Sequence, residues 1–265
     1  MDVSKFFSLH GKHILVTGAA GHVGRELCAH LVADGCTVFA VDRDTDALAR
    51  HVAAIDRDQS AILPMACDLG EESQRTGLVD QLNKATSHLD GVVHAAAFVG
   101  TSELPGWAVK LSKQSIDTWR QAIEVNLTAP FHLSQLLEPL LRAGSEPAIV
   151  NVSSIYGSIA PDWRLYDGTE MGNPAAYAAS KGGLEQLTRW LASSLAPDIR
   201  VNAVSPGGLL RGQPAVFEER YREKTPLGRM GSERDTVGAI IFLLSSAASY
   251  ITGETIFVDG GYRVV

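Results

Sequence analysis

The feature that most limits what this chain can become is a short apolar run that ends in glycines and opens onto a helix. His13-Ile-Leu-Val-Thr17 is apolar and β-branched, the pattern of a strand buried on both faces. Gly18-Ala-Ala-Gly21-His22-Val23-Gly24 follows, and Val23, Leu27 and Leu31 then recur at helical spacing. Glycines let a backbone turn sharply and come close to a phosphate, and the helix start offers unpaired N–H groups and a positive dipole end. The spacing approximates the Gly-x-Gly-x-x-Gly dinucleotide fingerprint without matching it, and an ordinary strand-to-helix turn would carry the same residues.

The rest of the chain repeats that unit. Apolar runs at 37–41, 61–66, 89–94, 148–152, 199–204 and 254–258 read as further strands. Helical patterns fill 44–58, 71–87 and 116–143, the stretch from Pro174 onward, and the one from a capping box at Ser232-Glu-Arg-Asp235 to near Ser246. Alternating strands and helices predict an α/β fold. We expect one doubly wound, Rossmann-like domain over residues 1–265, with a seven-stranded parallel sheet flanked by helices on both faces. In the 116–143 helix, Ile123, Leu127, Phe131 and Leu136 are expected to face inward, with Asn126 either a tolerated surface residue or a polar group at a kink. The 209–230 stretch reads as irregular or loosely helical, a candidate lid.

Several side chains then fall at strand ends, where ligands bind in such sheets. Asp42 ends the second strand, eighteen residues beyond Gly24, where a carboxylate would accept from the adenosine ribose and repel a 2′-phosphate. That favours NAD over NADP, although the neighbouring Arg43 could serve the phosphate, and an Asp after a strand also caps helices. Ser153 and Ser154 end the fifth strand. Tyr177-Ala-Ala-Ser-Lys181 puts a phenol and an ammonium one helical turn apart, and a nearby positive charge lowers a phenol's pKa toward acid/base use. Alone, that pair is equally a surface tyrosine with a solvated lysine. The loop 161–171 carries Trp163, Arg164, Tyr166 and Asp167, suited either to a polar or anionic ligand or to a subunit contact. Ala178, Ala179, Gly182 and Gly183 thin one face of the Tyr177 helix for close packing, between subunits or within one.

Composition excludes other classes. Thirty acidic against 23 basic residues give a net charge of −7 and a pI near 5.6, which argues against a nucleic-acid partner. No apolar run would span a bilayer, and no signal-peptide pattern opens the chain, so a cytoplasmic protein without a membrane partner is expected. Cys28, Cys36 and Cys67 lack metal-site spacing and read as reduced thiols, no metal is expected, and the Asn126 and Asn151 triplets are chance glycosylation matches.

Taken together, these landmarks resemble the short-chain dehydrogenase/reductase family, in its subtype of about 250 residues, along essentially the whole chain. The motifs are Thr17-Gly18…Gly24, Asp42, Asp68-Leu69, His94–Ala97, Asn126, Ser154, Tyr177…Lys181, Pro206-Gly207 and Val258-Asp-Gly-Gly261. The resemblance implies a nicotinamide cofactor and a small-molecule substrate whose secondary alcohol and ketone forms are interconverted. It implies that Asp68 and Leu69 flank the adenine, Ala95 and Ala96 touch a cofactor ribose, and Pro206-Gly207 meets the nicotinamide end. Ser154 would hold the substrate oxygen, Tyr177 would be the acid/base, Lys181 would bind the nicotinamide ribose and lower the phenol's pKa, and Asn126 would order a water relaying protons to Lys181. It also implies a homotetramer or homodimer, built partly on the 116–143 helix and the Tyr177 helix. The glycine turn follows the pattern of longer relatives, His94 replaces the usual Asn, and the Ser-to-Tyr interval is long. The run from Ser153 to Tyr177 is similar to a subgroup associated with sugar and surface-glycan biosynthesis. A non-redox NAD-binding regulator and an NAD-retaining epimerase or dehydratase stand as alternatives.

Overall fold

The computed structural model describes residues 3–56, 61–99 and 104–265. Its seven strands are β1 His13–Thr17, β2 Thr37–Asp42, β3 Ile62–Ala66, β4 Gly91–His94, β5 Ala148–Val152, β6 Arg200–Pro206 and β7 Thr255–Val258. They form one all-parallel sheet in the order β3-β2-β1-β4-β5-β6-β7. The order reverses between β1 and β4, the place where doubly wound sheets open a crevice.

Around it lie α1 Ser4–Phe7, α2 His22–Ala33, α3 Thr45–Ile55, α4 Glu72–Ala85, α5 Ile116–Ile123, α6 Ala129–Arg142, α7 Ala175–Leu195, α8 Ala215–Lys224 and α9 Glu233–Leu244. The central strands read as unbroken apolar runs because they bury both faces, whereas the edge strands β3 and β7 are partly exposed. Ile14, Val16, Val38, Ala40, Val150 and Val204 pack under α2, α3 and α9. Leu15, Phe39, Val41, Val92, Ile149 and Val201 pack under α4, α6 and α7. A sheet covered on both sides leaves only its strand ends for chemistry.

The expected strands and helices form, with four differences. The 44–58 helix ends at Ile55, and positions 57 and 58 lie outside the described residues. The 116–143 helix is broken by a π turn, Glu124–Thr128, that carries Asn126. Its inner face carries Ala122, Asn126, Ala129, Leu133, Ser134, Leu137, Leu140 and Leu141, all buried, whereas Phe131 is 41% exposed and Ile123, Leu127 and Leu136 are only partly covered. The expected stripe was therefore largely the wrong face, because the π turn shifts the helical phase ahead of Leu133, Leu137 and Leu141 and the small Ala122 lets α5 pack against α7. The thin face of α7 likewise meets its own chain: a Cβ on Gly183 would lie 2.7 Å from Leu127, and one on Gly182 would lie 3.0 Å from the Gly157 carbonyl. Finally, 209–230 is ordered around α8, whose Phe217 and Tyr221 are buried with Ile155, Leu165 and Met230. The capping box at Ser232 forms as expected.

Candidate active site

The strand ends enclose a cavity of about 620 Å³, lined from β1 through β6 and by α7 and the 209–230 segment. The first strand ends in Gly18, whose φ of +68° suits glycine and whose absent Cβ would stand 2.6 Å from Ala96. Thr17 Oγ1 accepts from Ala96 N at 3.2 Å, so the ends of β1 and β4 are tied together. Gly21 precedes α2, and no side chain caps the helix start, which leaves its first N–H groups for a ligand. A glycine-lined cradle under an uncapped helix start fits the pyrophosphate of a dinucleotide, and Gly18, Gly21, His22, Val23 and Gly24 all line the cavity.

Asp42 stands at the end of β2, where Oδ2 accepts from Ala20 N at 2.9 Å and Oδ1 accepts from Asp44 N at 3.0 Å. The carboxylate thus pins the glycine turn while lining the cavity beside exposed Arg43. Asp68 Oδ1 accepts from Gly70 N at 2.9 Å. Leu69 offers its carbonyl to Arg75, a buried guanidinium that also reaches His132 Nδ1 at 3.1 Å and Glu124 Oε1 at 2.8 Å. Arg75 was not foreseen, though it lies in phase with Leu78 and Leu82, a charged residue on an inward stripe. Ala95 and Ala96 line the middle of the cavity, and Pro206 and Gly207 its far end, where Gly207 N donates to Val258 O at 3.0 Å.

Ser154, Tyr177 and Lys181 come together at that far end. Ser154 is buried at the start of the short turn Ile155–Gly157 and its Oγ accepts from Tyr156 N at 3.3 Å. Lys181 is buried, its Nζ donating to Val152 O at 2.7 Å and lying 5.8 Å from the Tyr177 ring centroid. Burial brings the ammonium's pKa down to about 8. The Tyr177 phenol is instead pushed up by burial, with the Ser154 hydroxyl and the Arg211 charge pulling it down. Lys181 Nζ, 5.8 Å from the phenol ring, is turned to the β5 backbone. Asn126 spends its side chain elsewhere: Oδ1 accepts from Phe98 N at 2.6 Å, and Nδ2 donates to Phe98 O at 3.3 Å and Ser180 Oγ at 3.0 Å.

Other expectations are corrected. Trp163 is 58% exposed, and Arg164 is exposed and paired with Asp162 at 2.7 Å; neither lines the cavity. Tyr166 of the same loop does line the cavity, joined by Met171 and by Asn173 just beyond the loop. Tyr166 and Tyr156 share a hydrogen bond of 2.8 Å between hydroxyls, and the buried Asn173 Oδ1 has no partner. No local sequence pattern marks Asn173, because its role comes from where the long loop folds back.

His94 leaves the cavity altogether, its Nε2 lying 3.2 Å from Ser134 Oγ on α6. Burial lowers its pKa to about 4 from 6.5. The folded state thus resists a proton that the unfolded chain accepts. The stability this gives is full above pH 6.5 and is lost as pH falls to 4. A shift of that size amounts to about 3 kcal/mol. Urea unfolding at pH 7 and pH 4.5 should show much of that loss in the wild type, and His94→Asn should remove this part of it.

Comparisons agree with this geometry. The model of the family described as enoyl-(acyl carrier protein) reductase matches residues 18–263. Galactitol 2-dehydrogenase (L-tagatose-forming) of Cereibacter sphaeroides is 32% identical over 272 residues, covering 100% of both chains. A short-chain dehydrogenase of Leptospira borgpetersenii with bound NAD+ superposes with a TM-score of 0.86 at 29% identity, covering 99% of this chain and 97% of that one. A gluconate 5-dehydrogenase of Burkholderia cenocepacia, in complex with NADP and tartrate, gives a TM-score of 0.86 at 25% identity over 100% of both chains. A dinucleotide cradle at the sheet's switch point, a serine, tyrosine and lysine gathered at its far end, and relatives matched from end to end lead to one assignment: the chain belongs to the short-chain dehydrogenase/reductase family, oxidoreductases that interconvert alcohols and carbonyls with a nicotinamide cofactor.

Proposed function

We propose that the chain, as one domain over residues 1–265, is an NAD-dependent dehydrogenase of a secondary alcohol on a small, polyhydroxylated substrate. The observation that carries this is the convergence of Ser154, Tyr177 and Lys181 in the cavity that also holds the glycine cradle. When bound, the nicotinamide supplies or accepts the hydride. Ser154 holds the substrate oxygen, and Tyr177 takes its proton in oxidation and returns it in reduction. Lys181 places positive charge beside the phenol and the nicotinamide ribose. Asn126 holds the π turn, from which a water would relay protons to Lys181. Asp42 accepts from the adenosine ribose and disfavours NADP, with Arg43 outside it, while Asp68 and Leu69 flank the adenine. Galactitol and gluconate, named for two relatives, are polyhydroxylated, and the unpartnered Asn173 Oδ1 with the Tyr156–Tyr166 pair offers such a substrate hydrogen-bond sites.

The apolar side chains left exposed on α5, α6 and α7, Ile116, Trp119, Phe131 and Trp190, support a homodimer or homotetramer formed through these helices. Among the described residues no helix is long and apolar enough to cross a membrane. The three thiols are unpaired and buried, with pKa values pushed up to about 12, 12 and 11, which suits a reducing cytoplasm.

Initial rates of NADH and NADPH formation over a panel of sugar alcohols and sugar acids test the proposal. NAD should support turnover at least about tenfold better than NADP, as expected when a carboxylate faces the 2′ position. The same preparation should sediment as a dimer or tetramer. No reduced cofactor from any alcohol, in either direction, would sink the catalytic reading.

A further inference from the structure

Arg211 takes no part in the proton transfer above, yet it lines the same cavity. It lies in the segment between β6 and α8. Its Nε donates to Glu233 Oε1 at 2.8 Å, on the first residue of α9, and its backbone N donates to Gln213 Oε1 at 2.7 Å. The side chain is therefore braced rather than loose. A guanidinium carries five N–H donors in a rigid planar fork. Glu233 occupies Nε, and the terminal nitrogens make no hydrogen bond among the described residues.

The position is as informative as the chemistry. The Arg211 charge lowers the pKa of both Tyr177 and His22, so it lies within electrostatic reach of the reacting hydroxyl and of the α2 start. The acidic residues lining the cavity are Asp42 and Asp68, both at the adenine end. At the reacting end the other cation, Lys181, is committed to the Val152 carbonyl. That leaves one braced guanidinium, a third exposed, whose carboxylate partner Glu233 engages Nε from outside the cavity lining and leaves the terminal nitrogens to a ligand. Such a group recognises a planar or tetrahedral oxyanion through two parallel hydrogen bonds.

We propose that Arg211 is a specificity-determining residue that grips an oxyanion, a carboxylate or a phosphate, on the polyhydroxylated substrate. The Glu233 contact fixes one edge of the fork and presents the other to the ligand. Asn173 Oδ1, 92% buried and without a donor, accepts from a hydroxyl farther along the same molecule. The inference rests on the alcohol-dehydrogenase reading of this cavity and narrows it from polyols in general to acidic ones.

Binding calorimetry on the NADH-saturated protein tests it with three probes on one carbon chain: sorbitol, gluconate and sorbitol 6-phosphate. The wild type should bind one of the two anions at least about tenfold more tightly than sorbitol, the scale of a charge-assisted bidentate pair. In Arg211→Ala that preference should vanish while NADH affinity holds. Arg211→Lys should keep part of it, since an ammonium retains the charge but not the fork. A preference that persists in Arg211→Ala, no preference in the wild type, or no binding of any probe overturns the proposal. A fall in NADH affinity with the preference unchanged would give the guanidinium to the cofactor pyrophosphate and overturn it too. Because the readout is binding, a wild type that selects the anion through Arg211 but oxidises no alcohol would fail the catalytic reading and leave the anchor standing.

Discussion

Tyr177→Phe should lower kcat by about 100- to 10,000-fold, the range a positioned proton-transfer group contributes, and leave NADH affinity nearly unchanged. The change deletes one oxygen. The ring keeps its packing against the cluster of Trp107, Ala122 and Ala176, so the cavity wall survives. No neighbour can replace the lost group. Lys181 Nζ is held at 2.7 Å from the Val152 carbonyl, and Ser154 is an alcohol with no basic partner of its own. Stopped-flow turnover and fluorescence titration of NADH separate the two expectations. A variant that keeps more than a tenth of the wild-type rate would show that the proton leaves by another route.

Arg75→Ala should cost about 3–5 kcal/mol of stability, the scale for removing one partner of a buried charged network. The guanidinium is 2% exposed and ties the Leu69 carbonyl to His132 on α6 and Glu124 in the π turn. Its loss leaves a hole as well as orphaned acceptors. A chain of this size should melt about 10 °C lower for each 3–4 kcal/mol lost. Arg75→Met, which refills the volume, should recover part of that stability. Both variants should weaken NAD binding, because Leu69 and Asp68 line the cavity where the adenine is proposed to lie. Calorimetric melting with and without NAD reads both effects, and an Arg75→Ala protein that melts with the wild type would refute the clamp.

Much of this was legible from the chain alone, for identifiable reasons. The central strands were readable because they bury two faces and so carry uninterrupted β-branched residues, as in Val92 and Val93 or Ile149 and Val150. Gly18, Asp42, Ser154 and Pro206 were readable because a parallel sheet brings every strand's carboxyl end to one rim. The face of the 116–143 helix was misread because the π turn shifts the helical phase, so the buried stripe runs through Leu133, Leu137 and Leu141. The contact with α7 selects Ala122 and Ala129 for smallness and Asn126 for its hydrogen bonds, and the π turn interrupts the helical phase between them. The ligand-contact alternative for Trp163 and Arg164 failed because chemistry alone does not say which side chains of a long loop turn inward. Arg211 and Asn173 carry no local pattern: each matters only through the cavity wall it joins, and that juxtaposition is made by tertiary structure.

The strand order has a consequence for how the protein is made. β1 pairs with β2 on one side and waits for β4 on the other, with Ile14 meeting Gly91. During synthesis the flank β3-β2-β1 can close first, leaving an unpaired strand edge until β4, the next strand of the chain, emerges. A truncated chain could therefore hold nucleotide weakly, yet it would present an open edge for another copy to join. Pairings this distant in sequence also make folding slow. Production of soluble protein should accordingly be limited by how quickly β4 covers that edge, and slower translation or a holding chaperone should raise the yield more than any improvement to the cavity.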